Sequence, residues 1–125
     1  MILPLIRLIV FDYYTPVIIS GTQFLEEKPE TAKAFLAALS KGYEDAIADP
    51  EEAAEILCKA APELDPELVL ASQQYLADQY QADADQWGYM DPERWNGFYN
   101  WLNENGLSDP ELPEGIGFTN DYLPQ

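Results

Sequence analysis

Asp12, Tyr13, Tyr14 and Thr15 stand at a break between two apolar runs and carry the most chemistry for their number. A carboxylate accepts hydrogen bonds from exocyclic N–H groups, and two phenols offer flat faces with polar tips. At the end of a strand such a set would bind a flat ligand, because open α/β sheets hold their ligands at strand ends. The competing reading is ordinary strand residues alternating between two faces. A second aromatic set follows: Tyr75, Tyr80, Trp87, Tyr89, Trp95, Phe98, Tyr99 and Trp101. Trp95, Phe98, Tyr99 and Leu102 fall at helical spacing and read as a packed face. Trp101 lies off that face, and Trp87 and Tyr89 fall in a loop, where they would cover another domain or stack on a flat ligand.

Other chemistry is weakly supported. Asp83, Asp85 and Gly88 occupy positions one, three and six of a calcium-loop pattern, but Trp87 replaces an oxygen ligand and Arg94 replaces the bidentate Glu. We expect no metal there. Acids number 23, so pairs of carboxylates are everywhere and single out no acid–base couple. The chain has no histidine, no Gly-rich phosphate loop and no GxSxG, which removes the common general base and the familiar nucleophile settings. No enzymatic role and no cofactor is expected. Cys58 is the single cysteine, too few for an internal disulfide, and reads as a small hydrophobe in a helix.

The 125 residues suffice for one domain. With Lys and Arg together numbering 6, the formal charge is −17, which excludes binding driven by nucleic-acid phosphates or anionic membranes. Apolar residues make up 47%, enough that the acids must coat a core.

Composition changes at Gly21. Before it, Leu5–Val10 and Thr15–Ser20 are rich in β-branched and aromatic residues and predict one or two strands. The opening run Met1–Val10 is short and interrupted by Pro4 and Arg7, so it fits neither a signal peptide nor a membrane span. As an exposed strand it would pair with a neighbour, including a second copy of the chain.

After Gly21 the tripeptide Asp-Pro-Glu occurs at 49–51, 65–67, 91–93 and 109–111, each time with the signature of a helix start. The Asp caps orphan N–H groups, Pro tolerates the first helical position, and Glu complements the helix dipole. Asp49 with Glu52 adds a variant of the capping box. Helices are predicted from Pro29 to about Ile47, Pro50–Ala61, Pro66–Gln79 and Pro92–Glu104, the last ending at Asn105-Gly106 in a left-handed cap. Their predicted inner faces are Ala32, Phe35, Leu36, Leu39, Tyr43, Ala46 and Ile47; Ala53, Ile56, Leu57 and Ala60; and Leu68, Val69, Ser72, Tyr75 and Leu76. The expected fold is mainly α with one or two N-terminal β-strands, in a single unit spanning 1–125. Residues 1–20 form its strand region, 22–106 its helices and 107–125 a Pro/Gly-rich loop tail.

Tyr13-Tyr14-Thr15-Pro16-Val17-Ile18-Ile19, Phe24-Leu25 and Pro29 through Ala38 resemble the C-terminal part of SsuA/THI5-like (NMT1/THI5-like) solute-binding proteins. Gly42-Tyr43, Ala46-Ile47, Pro50 through Leu57 and Ser72 through Gly88 extend the likeness, so that it runs from about Asp12 to Pro124. Met1–Val10 stands outside it. The resemblance implies a piece of an α/β lobe of the periplasmic-binding-protein type. The parent would be the extracytoplasmic receptor of an ABC importer, membrane-anchored or periplasmic, with the permease as its partner. The implied ligand is a thiamine pyrimidine precursor or a flavin-like heterocycle, with Asp12, Tyr13, Tyr14 and Thr15 near the hinge and cleft. The alternative from the residues themselves is a stand-alone acidic helical module that uses its Trp-rich helix against a protein partner. A THI5-like pyrimidine biosynthesis enzyme is the third reading, for which no nucleophile or base offers itself.

Overall fold

The computed structural model describes residues 13–125, and these are mainly helical. Five helices follow in order: α1 (Thr22–Glu27), α2 (Pro29–Ala48), α3 (Pro50–Ala60), α4 (Pro66–Ala77) and α5 (Pro92–Glu104). Proline opens α2 to α5. Three of the four Asp-Pro-Glu triplets cap as expected. Asp49 Oδ1 accepts from Glu52 N–H at 2.9 Å, Asp65 Oδ1 from Glu67 and Leu68, and Asp91 Oδ1 from Glu93 at 2.8 Å. The capping box at Asp49 is half-made, because Asp49 N–H still closes α2 on Asp45 O.

The fourth triplet, at Asp109, starts no helix. Pro113 would deprive a first turn there of a needed N–H, and Leu112 N–H is already given to Asn103 Oδ1 at 2.9 Å. α1 is an element that the sequence pattern missed; six residues are too short for a periodic stripe, and Gly21 supplies no side-chain cap.

No strand is present among the described residues. The predicted strand Leu5–Val10 lies outside them, and Thr15–Ser20 is irregular, which corrects the second strand. Strand propensity in Val17, Ile18 and Ile19 reflects fit to a sheet surface, and no neighbouring strand is there to pair. Ile19 is left 85% exposed. The α/β lobe is therefore not seen here.

The described residues group into two compact units. One joins residues 13–20 to Met90–Asn120, and the other joins Gly21–Tyr89 to Asp121–Gln125. In the second unit α3 and α4 pack together most extensively, and α2 touches both. The buried residues of these helices have small or short side chains: Ala32, Ser40, Ala54 and Val69. The predicted inner face of α2 holds except at Phe35, whereas α3 and α4 are rotated from theirs, α4 keeping Val69 and Leu76 inside. Ala54 rather than Ile56 is the inner residue of α3, while Phe35, Ile56, Leu68 and Tyr75 are exposed. Close helix approach favours the small residue at the contact, so the larger apolar side chains flank it. Beyond α4, Trp87 supplies the bulk. It is only 9% exposed and stacks on Tyr43, with centroids 4.4 Å apart and rings 19° from parallel. Tyr80 meets the same Tyr43 edge-on at 5.0 Å.

The other unit is built on α5. Its C-terminus closes in a Schellman motif: Gly106 takes φ +64°, Gly106 N–H donates to Asn103 O, and Leu107 N–H donates to Leu102 O. The tail then runs back along the helix, strapped by asparagines at i, i+4 and i+7. Asn103 pairs with both backbone groups of Leu112, Asn100 donates to Glu114, and Asn96 accepts from Gly115 N–H. Asn120 completes the return by pairing with the N–H and C=O of Met90. The tail is irregular as predicted, and its backbone groups are nevertheless held by side chains.

Candidate ligand-binding site

Tyr13, Tyr14 and Thr15 belong to the unit built on α5; Asp12 lies outside the described residues. Tyr13 stacks on Phe98, with centroids 5.2 Å apart and an interplanar angle of 21°. Phe98 in turn lies parallel to Trp101, at 6.3 Å and 9°. Three flat rings thus share nearly one orientation, and Tyr13 is 46% exposed. Offset stacks of this kind are the geometry that aromatic quadrupoles favour.

Tyr14 turns to the N-terminus of α5. Its hydroxyl accepts from Asp91 N–H at 2.8 Å, and the Arg94 guanidinium sits 5.0 Å from its ring centroid. Thr15 is exposed. Tyr13 and Tyr14, neighbours in sequence, therefore serve two surroundings: one joins an aromatic ladder and the other caps a helix beside a cation.

Phe98 and Arg94 are the residues that sequence reasoning missed here. Phe98 reads as part of a helical core stripe, and Arg94 registered only as the wrong residue in a calcium pattern. Their i, i+4 spacing was the available signal, since it places both on one side of α5. Trp95 belongs to a separate cluster. Its Nε1–H donates to Ile116 O at 2.9 Å, and its ring meets Tyr99 at 5.5 Å and Phe118 at 5.3 Å. Gly117, with φ +84°, allows that cluster to close, because a Cβ there would run into Tyr99 Oη.

The other unit has its own concavity, a shallow groove of about 270 Å³ lined by Leu39, Gly42, Tyr43, Ala53, Gln73 and Tyr80 among others. Tyr80 donates to Gln73 Oε1 at 3.0 Å on its wall. The loop bearing Asp83 and Asp85 holds Trp87 against Tyr43, so Trp87 is a core residue of its unit. No set of three or more metal-ligating side chains converges among the described residues.

Residues 2–53 match the family model described as NMT1/THI5 like. The assignment read from the sequence is supported, and it rests on this N-terminal stretch. The match takes in the opening run that the resemblance had left outside, together with Asp12 to Thr15, α1, α2 and the first turn of α3. α4, α5 and the tail lie beyond it. No curated protein matches the chain. The family contains solute-binding proteins and THI5-like proteins. Among the described residues, no helix is long and apolar enough to cross a membrane.

Proposed function

We propose, taking the NMT1/THI5-like character of residues 2–53 as premise, that the protein is a solute-binding component of an ABC importer, or a portion of one. Its ligand is a thiamine pyrimidine precursor or a similar flat heterocycle, bound reversibly and not converted. Asp12, Tyr13, Tyr14 and Thr15 form the binding segment. Tyr13 extends the Phe98–Trp101 ladder toward the ligand plane, and Asp12 accepts from exocyclic N–H groups. The exposed ring of Tyr13, stacked on Phe98 and 46% accessible, is the observation that supports this reading most directly. The protein acts on the extracytoplasmic side with a membrane-spanning ABC permease as its transport partner, and a second copy is a further partner through the apolar N-terminal segment.

The rival reading, a protein-interaction module working through the Trp-rich helix, draws less support. Trp95 is hydrogen-bonded to Ile116 O and Trp101 lies against Phe98, so both rings are engaged within their own unit.

Titration calorimetry of the full chain against pyrimidines, thiamine and flavins tests the proposal. One ligand should bind, raise the melting temperature with the logarithm of its concentration, and bind about tenfold or more weakly to Tyr13→Ala or Asp12→Asn. Silence across the whole panel would sink it, as would unchanged affinity in both variants.

A further inference from the structure

α4 has two apolar sides, and among the described residues only one is buried. Val69 is buried and Leu76 half-buried on the inner side. On the other, Leu68, Ala71 and Tyr75 follow at i, i+3 and i+7, and Leu68 and Tyr75 are 69% and 65% exposed. Leucine and tyrosine at this spacing form a stripe about two turns long, the footprint into which a second helix packs. The helix presenting it is well founded, with two capping bonds from Asp65 and a proline at its first position.

Along the sequence that carries this stripe, the charge is of one sign. Between Lys59 and Arg94 the chain has no basic residue, while Glu63, Asp65, Glu67, Asp78, Asp83 and Asp85 all lie in the same unit as α4. None of these six is in an ion pair among the described residues. The ion pairs seen are Lys33–Glu30, Lys41–Asp45 and Lys59–Glu55, each within its own helix. A stripe of apolar anchors set in unneutralised acid repels a second copy of a chain with charge −17, and it repels nucleic acid and anionic lipid equally.

We propose that the exposed side of α4 docks a cationic amphipathic helix of another protein. Leu68 and Tyr75 are the anchors, and the carboxylates that flank them in sequence, Asp65, Glu67 and Asp78 foremost, select lysine- or arginine-bearing partners and speed their encounter. Periodic anchors on one helix face match the helix-in-groove mode, and tyrosine is among the residue types that dominate such interfaces. This interaction needs no small-molecule ligand, so it stands or falls separately from the transport reading.

The test uses the full chain and a fluorescently labelled synthetic helix of leucine and lysine whose leucines form one stripe. A scrambled peptide of the same composition and a version with glutamate for lysine serve as controls. Fluorescence anisotropy should show saturable binding of the first peptide, at least about tenfold weaker binding of the scrambled one, and none of the acidic one. Leu68→Ser and Tyr75→Ser should each weaken binding about tenfold with unchanged melting temperature, while Phe35→Ser, at an exposed site on α2, should leave it unchanged. Raising sodium chloride from about 50 to about 300 mM should weaken it further. Equal affinity for the scrambled peptide would reduce the effect to unspecific charge attraction and overturn the proposal. Indifference to both α4 substitutions would do the same, as would sedimentation showing a dimer that Leu68→Ser dissolves.

Discussion

Tyr14 and Asp91 are 77 positions apart, yet the Asp91 N–H donates to the Tyr14 hydroxyl at 2.8 Å. In a capping box that N–H would be met by a Glu three residues into the helix. Arg94 holds that position in α5, and it lies over the Tyr14 ring instead. A phenol from a distant part of the chain thus completes the cap that the local sequence leaves half-made.

Tyr14→Phe should therefore destabilise the unit built on α5 by about 1 kcal/mol, the net worth of one such hydrogen bond, while keeping the ring beneath Arg94. Urea denaturation followed by Trp95 and Trp101 emission measures it. Amide exchange at Asp91 should quicken in the variant; an unchanged rate there would show that the bond contributes nothing.

The repeated triplet supplies a controlled comparison. Asp65→Ala removes a side chain that accepts from two backbone N–H groups and should cost about 1 kcal/mol. Asp109→Ala, in the same tripeptide without a helix behind it, should change stability by less than about 0.5 kcal/mol. Parallel thermal melts of the two variants distinguish a working cap from a look-alike.

Gly117→Ala should be among the more damaging small substitutions in the protein. The residue has φ +84°, where an L side chain is strained, and its new methyl would run into Tyr99 Oη. A loss of about 1–3 kcal/mol is expected. Adding Tyr99→Phe should recover the steric part but leave the backbone part, so a double-mutant cycle should return a non-zero coupling.

Asn103 ties down the tail more firmly than any other side chain. Its amide pairs with both backbone groups of Leu112, and Ser108 Oγ donates to its oxygen at 2.6 Å. Asn103→Ala leaves these groups to water and should cost about 1–3 kcal/mol. Limited proteolysis should then cut between residues 108 and 116 well before α5 itself is attacked.

Helix starts were legible in the sequence because their determinants are local. Asp49, Asp65 and Asp91 each reach N–H groups two or three residues ahead, and Asn105-Gly106 needs only its own turn. The inner faces were less legible. Periodicity shows that α3 and α4 have apolar sides, but the sides that the fold buries carry Ala54 and Val69, and Ile56, Leu68 and Tyr75 are left exposed. Which of two apolar sides a neighbour takes is decided by that neighbour's shape. The candidate site was half legible for the same reason: two tyrosines beside a carboxylate stand out as a string, whereas Phe98 and Arg94 join them only through the fold. The asparagine strap went unread because Asn96, Asn100 and Asn103 look like any solvated face until the tail lies against them.

The distribution of indoles has a practical consequence. The three tryptophans divide between the two units, with Trp87 in one and Trp95 and Trp101 in the other. Trp87, shielded and stacked on Tyr43, should emit further to the blue than the half-exposed pair. Replacing Trp87 by Phe therefore leaves an optical reporter of the α5 unit alone, and replacing the other two leaves one for the α2–α4 unit. Whether the units melt together or one after the other becomes a question that two spectra can answer without any added dye.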